Sequence, residues 1–452
     1  MRSRILTWVP LVASVLVLVA AVWWTRSADA RPPSNTVWDD EEVDFVRRAV
    51  ASTYVDELTE KQSRDAFYAA LDGYLHSLPD DYNDFIPPDD YRRWKEDASG
   101  RYAGIGVKID AKQGRGLSVA GVFPGGPADK AGLHVGDLVV EVEGRSLASS
   151  DLSRDENVKM LKGAPGSKVR VVVETPAPKD APSGTAPARR AVEIVRDVIA
   201  TPSVFSRKLG PGGRTAYLRI AEFTESTSGE FDRDLDSLLA GGATSVIIDL
   251  RQDGGGVLPA TVHVADRFIR SGDIVRLVGR SSSSNRVERA TDAGTVPDSI
   301  ALVLLVDGQS ASASEVLAGC IQDHRRGVLI GTQTFGKFLV QNVIEIPDRQ
   351  AAVKITSARY MTPSGRWYSR KAGGRDAPPA GLLPDVVVPL SDDDEKKFLK
   401  ARDNADGALW GAHPRYPEVP ADWIDPQLQR ALDLIDGNLQ LQEIRGEDRG
   451  NG

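Results

Sequence analysis

Residues 303–341 read VLLVDGQSASASEVLAGCIQDHRRGVLIGTQTFGKFLVQ. The run at 303–306 is apolar and branched, which predicts a buried strand. A turn of small residues follows, in which Ser310, Ser312 and Ser314 alternate with Ala311 and Ala313. From Glu315 onward Val316, Leu317, Cys320 and Ile321 recur at helical spacing. Phe335-Gly336-Lys337 then stands on a loop. Strand, tight turn and helix can hold a hydroxyl out as a nucleophile, with helix N-terminal N–H groups beside it. A serine there needs a base, and the segment offers His324 and Lys337.

Outward from this stretch, strands and helices alternate. Residues 215–220 predict a strand, and 231–239 a helix capped by Gly241-Gly242. The β-branched run at 245–250 suits a strand buried on both faces. Arg251-Gln252-Asp253-Gly254-Gly255-Gly256 follows, then a helix at 259–269. Further strands are expected at 328–331, 340–346, 351–357 and 384–388. This order predicts an α/β core with a largely parallel sheet. The glycine triplet sits at the C-terminal end of a buried strand, where such folds place their sites. Its N–H groups suit an oxyanion. A structural turn is the competing reading. A phosphate cradle is a weaker one, because neither a Walker lysine nor G-x-G-x-x-G is present.

The whole chain limits the choice of chemistry. Its 452 residues, 41% hydrophobic and 27% charged, allow two or three domains with real cores. A net charge of −8 without a basic block argues against nucleic acid. Cys320 is the single cysteine, so an internal disulfide is excluded, and its helical apolar setting predicts a buried thiol. Five scattered histidines with no C-x-x-C or H-E-x-x-H imply no metal, and no cofactor is expected. Arg2 and Arg4 precede an apolar run at 5–24 and Ala28-Asp29-Ala30, the pattern of an export signal. Twenty apolar residues also suffice to span a bilayer, so cleavage and retention as an anchor both remain.

Between the two ends, residues 41–78 carry the apolar spacing of one or two amphipathic helices. Phe85-Ile86-Pro87-Pro88 reads as extended, and packing or dimerisation is the expected role of this region. Near Gly100 the period shortens to many short strands with two small helices, a compact, partly open barrel. The Pro/Ala/Ser/Gly segment at 175–188 reads as a hairpin insertion into its last two strands. The tail from Asp392 is acidic, then Trp/Pro-rich, then helical around 426–439, and is expected to pack on the body.

The base can be weighed from the residues alone. His324 falls some ten residues into the helix after the serines, about 15 Å along at 1.5 Å per residue. His263 sits on another helix. A lysine base must be neutral, which requires desolvation from a pKa of about 10.4 to ~7–8, on the order of 4 kcal/mol. Phe335, Phe338, Leu339 and Val340 supply the apolar surroundings for Lys337.

Two resemblances add to this reading. Tyr102–Val107 (YAGIGV), Gly125–Leu133 (GGPADKAGL), Val135–Leu138 (VGDL) and Met160–Val169 (MLKGAPGSKV) resemble a PDZ domain of exported bacterial proteases. That resemblance implies a peptide added as a strand at Gly104, Ile105, Gly106 and Val107, with Val158 and Leu161 lining its side-chain pocket. The segments DLRQDGGG at 249–256, SASASE at 310–315, QDHRR at 322–326, FGKFLVQ at 335–341, YMTPSG at 360–365 and GLLPD at 381–385 resemble the C-terminal processing peptidases, or tail-specific proteases. That family uses a Ser–Lys dyad. Carried over, Ser312 is the nucleophile and Lys337 the general base. Gln341 holds Lys337, and the N–H groups of Gly255 and Ala313 form the oxyanion hole. Three features depart from the family. Phe338 stands where it has Gly, Gln252-Asp253-Gly254 where it favours Asn and Pro, and residues 80–85 (DDYNDF) replace its D-P-H-S-x-Y.

The expected fold class is α/β within a multidomain α+β chain. It comprises a crotonase-like or ClpP-like catalytic core, an inserted PDZ barrel and an N-terminal helical segment. The expected divisions are 1–30 signal or anchor, 36–99 helical, 100–198 PDZ, 199–392 catalytic and 393–452 tail. The implied function is an exported serine endopeptidase. It would capture unstructured polypeptide substrates by their free apolar C-termini, in the periplasm, soluble or attached to the inner membrane through 5–24. An adaptor or a homo-oligomer is a further expected partner. A catalytically silent PDZ scaffold is the alternative, and a hydrolase using His263 or His324 is a third reading.

Overall fold

The computed structural model describes residues 40–109, 116–148, 153–177, 182, 184–280, 282, 285–370, 380–408 and 423–447. The segment at 1–30, expected to be an export signal or anchor, lies outside the described residues. Among those described, no helix is long and apolar enough to cross a membrane. The chain divides into two units, residues 1–71 and 72–452. The first contains the helix Asp40–Thr53 and the start of the helix Glu60–His76, so the amphipathic pattern at 41–78 resolves into two helices. Val43, Phe45, Val46 and Val50 are exposed on the earlier one.

The second unit is built around a six-stranded sheet. Its order is Val204–Leu209, Thr215–Ile220, Ser245–Asp249, Ala301–Val306, Val328–Gly331 and Val386–Val387. The first pair is antiparallel and the others are parallel, as strand–helix alternation requires. Both faces are covered, which explains the unbroken apolar runs. Val246, Ile248, Leu302, Leu304 and Val306 pack in the core formed with the helices Thr227–Ala240, Leu258–Asp266 and Ala313–Asp323. Ile247, Val303, Leu305 and Ile330 pack with Ala431 and Ile435 of the helix Pro426–Glu447. The tail therefore supplies the cover of the second face.

A second, wholly antiparallel sheet is a departure from the expected arrangement. Leu339–Ile346 and Ala351–Met361 join Asp273–Gly279, Arg286–Arg289 and Asp84–Ile86 there. These strands do not extend the parallel sheet. They are only part-buried along much of their length, as antiparallel strands with one wet face are. Asp84–Ile86, expected only to be extended, thus joins the sheet that carries Leu339 and the chain beyond Lys337.

The third sheet runs Val107–Ile109, Leu117–Val122, Leu138–Val142, Lys168–Thr175 and Ala188–Val195, with Arg145–Ser146 on Leu138–Val142. It surrounds a core of its own, including Ile105, Leu133, Val139, Val171 and Ile194. The sheet stays open, as a partly open barrel requires. Among the described residues Val107–Ile109 and Ala188–Val195 stay at the sheet's two ends. Thr175 pairs with Ala188, so the Pro-rich insertion is a hairpin connection. Arg101–Gly104 and Asp197–Ala200 pair where the chain enters and leaves this block.

Candidate active site

The three serines of the turn have separate fates. Ser310 is buried. Its hydroxyl donates to the Leu250 carbonyl at 2.8 Å and accepts from the Asp307 N–H at 2.9 Å. Ser314 is buried as well, and its Oγ donates to the Asp253 carbonyl at 3.2 Å. Ser312 alone is partly exposed. It is the N-cap of the helix Ala313–Asp323, at φ 55° and ψ −111°. A non-glycine residue rarely adopts positive φ, and such strain collects where a side chain must be presented. The flanking serines pin the turn to the glycine loop, and this pinning holds Ser312 in that conformation.

The glycine loop meets the serine directly. A Cβ on Gly255 would lie 2.7 Å from the Ala311 oxygen and 2.9 Å from the Ala313 nitrogen, so only glycine fits. Gly255 and Ala313 therefore stand side by side, as the oxyanion assignment requires. The Gly255 N–H, however, donates to Asp253 Oδ1 at 2.9 Å. At the loop's root Arg251 pairs with Asp249 at 2.8 Å and with Asp425 at 2.8 Å. The Tyr217 hydroxyl donates to Asp249 at 2.7 Å. Burial disfavours the Asp249 carboxylate, but Arg251 and Arg402 beside it outweigh this and hold its pKa well below the ordinary range.

The lysine loop is tied to the serine through Glu315. This buried carboxylate accepts from the N–H groups of Ser312 (3.0 Å), Gly336 (2.7 Å) and Lys337 (2.8 Å), and from the Thr334 hydroxyl (2.5 Å). Burial raises its pKa, and these four donors pull the other way. The Tyr360 hydroxyl lies 2.7 Å from the Ser312 carbonyl oxygen and also against that of Lys337. Gly336 sits at φ 89°, and a Cβ there would be 1.7 Å from the Ala380 oxygen. The chain thus turns sharply just before Lys337.

Lys337 is half-buried, and its pKa is lowered. Burial is the main cause and Lys354 adds to it, opposed by Asp84, Glu315 and Asp80. Its Nζ lies 4.6 Å from the centroid of the Tyr82 ring. Among the described residues no hydrogen bond joins Nζ to Ser312 Oγ, and none joins it to Gln341. The Gln341 amide instead donates to Thr356 Oγ1 at 3.4 Å, because the antiparallel register places Gln341 opposite Thr356. Phe338 does not stand open in the cleft. It is 1% exposed, its ring centroid 4.5 Å from that of Tyr360 and 4.8 Å from that of Tyr368. A cavity of about 530 Å³ adjoins Lys337, lined in part by Tyr82, Val278, Leu339, Met361 and Trp367.

Both histidines are engaged elsewhere. His324 is the C-cap of the serine's own helix and contacts the Asp273 carbonyl at 2.8 Å, some 18 Å along the helix from Ser312 at ~1.5 Å per residue. His263 contacts Asp232 at 2.7 Å. Cys320 is buried, and burial pushes its thiol pKa up.

Comparison with known proteins gives the family. Residues 214–388 match the model of peptidase family S41, and 94–174 that of the PDZ domain. The chloroplastic C-terminal processing peptidase of Tetradesmus obliquus is 33% identical over 370 residues, 75% of this chain and 75% of that protein. The chain belongs to peptidase family S41. The carboxyl-terminal-processing protease of Picosynechococcus sp. is 31% identical over 359 residues, 76% of this chain and 81% of that protein. Among solved structures, the photosystem II D1 C-terminal processing protease is similar at 30% identity. It covers 78% of this chain and 94% of that chain, with a TM-score of 0.42.

As a member of family S41 the chain is a serine-type peptidase carrying a PDZ domain. In the PDZ block, Gly104 lies beside the Leu161 carbonyl, 3.7 Å from where a Cβ would stand. Ile105 and Leu161 are buried and Val158 is half-buried. The Ile105 and Gly106 carbonyls already accept from Ala128 and Phe123. Four residues that surround Ser312 and Lys337 were given no role at the site by the sequence: Glu315, Tyr360, Tyr82 and Asp253. Glu315 had a legible signal, since Ser312-x-x-Glu315 is a capping-box spacing. Tyr360 and Tyr82 had none, because they arrive from strands and turns distant in the chain.

Proposed function

We propose that this peptidase is exported, captures the free C-terminal tail of an unstructured polypeptide with its PDZ domain, and cleaves it with Ser312 and Lys337. Arg2, Arg4, the apolar run at 5–24 and Ala28-Asp29-Ala30 support export to the periplasm. The observation that carries the catalytic reading is the strained, partly exposed Ser312 at a helix N-terminus. It abuts Gly255, and Glu315 binds both its N–H and that of Lys337. Lys337 in its neutral form takes the Ser312 hydroxyl proton as Oγ attacks the scissile carbonyl. The developing oxyanion faces the N–H groups of Ala313 and Gly255. Lys337 returns the proton to the leaving amine, and water then hydrolyses the acyl ester. Two adjustments precede this step. The Lys337 side chain leaves Tyr82 for Ser312 Oγ, and the Gly255 N–H turns from Asp253.

Cleavage of an unfolded test protein by wild type, Ser312→Ala, Lys337→Ala and a His263→Ala/His324→Ala double variant tests the reading. The first two substitutions are expected to abolish cleavage and the double variant to retain it. Full activity of Lys337→Ala together with loss in the histidine variant would sink the dyad.

A further inference from the structure

Asp253 is the unexplained group in this site. Its side chain is 0% exposed. Oδ1 accepts the Gly255 N–H at 2.9 Å, and Oδ2 has no hydrogen-bond partner among the described residues. Its backbone oxygen accepts from the Ala311 N–H at 3.0 Å and the Ser314 hydroxyl at 3.2 Å, which come from the residue just before Ser312 and the second one after it. A buried carboxylate with a bare oxygen costs far more than the single turn bond it makes. An asparagine or serine would make that same bond without charge. The negative charge is therefore the feature that requires a reason.

We propose that Asp253 is a positioning residue that gates the oxyanion site through its own ionisation. As a carboxylate it holds the Gly255 N–H and sets a buried negative charge beside the place where the oxyanion forms. As a neutral acid it loosens that hold and removes the charge, leaving the N–H free for the tetrahedral intermediate. The proton comes from solvent and returns to it, and no bond to the substrate is involved.

The surroundings agree with this role. Burial lifts the Asp253 pKa to about 7, with Glu222 adding to the rise; the Gly255 N–H, the Ser314 hydroxyl and Arg402 oppose it. Glu222 and Arg402 are the charged groups that face it from neighbouring elements. Glu315, on the adjoining helix, turns toward Thr334, Gly336 and Lys337 instead. The inference rests on the Ser312 reading above and adds a second condition to it. Lys337 must be deprotonated and Asp253 protonated, so activity peaks in a window and falls on the alkaline side.

The experiment is kcat/KM for a fluorogenic peptide from pH 5.5 to 9.5, with full-length wild type, Asp253→Asn and Ser312→Ala. Asp253→Asn is expected to lose the alkaline fall and to exceed wild type at least ~10-fold at pH 9, the two curves converging below about pH 6. Asp253→Ser, which keeps a neutral acceptor for the turn, is read the same way if the asparagine variant does not fold. Parallel profiles at a constant ratio, with Ser312→Ala inactive, overturn the gate and leave the catalytic serine standing. Cleavage by Ser312→Ala overturns the site reading, and so does silence of wild type and Asp253→Asn at every pH.

Discussion

The ionisation of Asp253 carries a stability signature separate from its effect on rate. The ordinary aspartate pKa of 3.8 rises to about 7 in the fold, because burial disfavours the carboxylate. Between about pH 4 and pH 7 the folded chain thus holds a proton that the unfolded chain has lost. Stability from this group is complete below the unfolded value and is lost as pH rises through the folded value. At about 1.4 kcal/mol per pH unit the loss totals on the order of 4 kcal/mol, and above pH 7 it stays constant. Asp253→Asn keeps the acceptor for the Gly255 N–H and removes the titration. Relative to wild type, the variant is expected to gain stability progressively from pH 4.5 to pH 7.5. The gain amounts to ~5 °C in melting temperature for a unit of this size. The assay is thermal unfolding of both proteins by tryptophan fluorescence at half-unit pH steps. A melting-temperature difference that does not change with pH would refute the reasoning, since a lost turn contact alone has no pH dependence in this range.

Two other perturbations test neighbouring parts of the site. The Tyr82 ring favours the charged form of Lys337, while burial disfavours it. Tyr82→Leu keeps the burial and removes the ring, so the acid limb of the pH–rate profile is expected to move down by about half a unit, from a cation–π contribution of ~0.5–1 kcal/mol. An upward shift would count against the contact. Arg251→Leu would strand the fully buried Asp249 carboxylate and sever the link to Asp425. A loss of about 3–5 kcal/mol in urea denaturation is expected, and a neutral result would show that Tyr217 and Arg402 suffice.

Much of the site was legible locally. The run at 245–250 predicts a strand covered on both faces and that at 303–306 a buried strand, and their burial and parallel pairing bear this out. The alternation of serine with alanine marked the turn, but three hydroxyls in equivalent sequence settings could not be ranked by pattern. Their hydrogen bonds rank them: Ser310 and Ser314 are bound to the backbone of the glycine loop, and Ser312 stands out at positive φ. Phe338 stood out only as a departure from the family's Gly, because its neighbours in sequence say nothing of rotamer direction. Packing against Tyr360 and Tyr368 turns it into the core.

Local chemistry determines the strands, the serine turn, the helix start with its Ser-x-x-Glu spacing and the glycines that permit close approach. All of these depend on residues within a few positions of each other. Which strand joins which sheet, which ring lies on Lys337 and which carboxylate lacks a partner depend on contacts between segments far apart in the chain. Tyr82 reaches Lys337 because Asp84–Ile86 pairs with Ala351–Met361. Asp253 becomes a buried carboxyl with one bare oxygen because the Ala311–Ser314 turn closes over it. Burial sums over neighbours from the whole chain, and desolvation follows burial, so the state of the lysine and of the aspartate is decided only when the chain has folded.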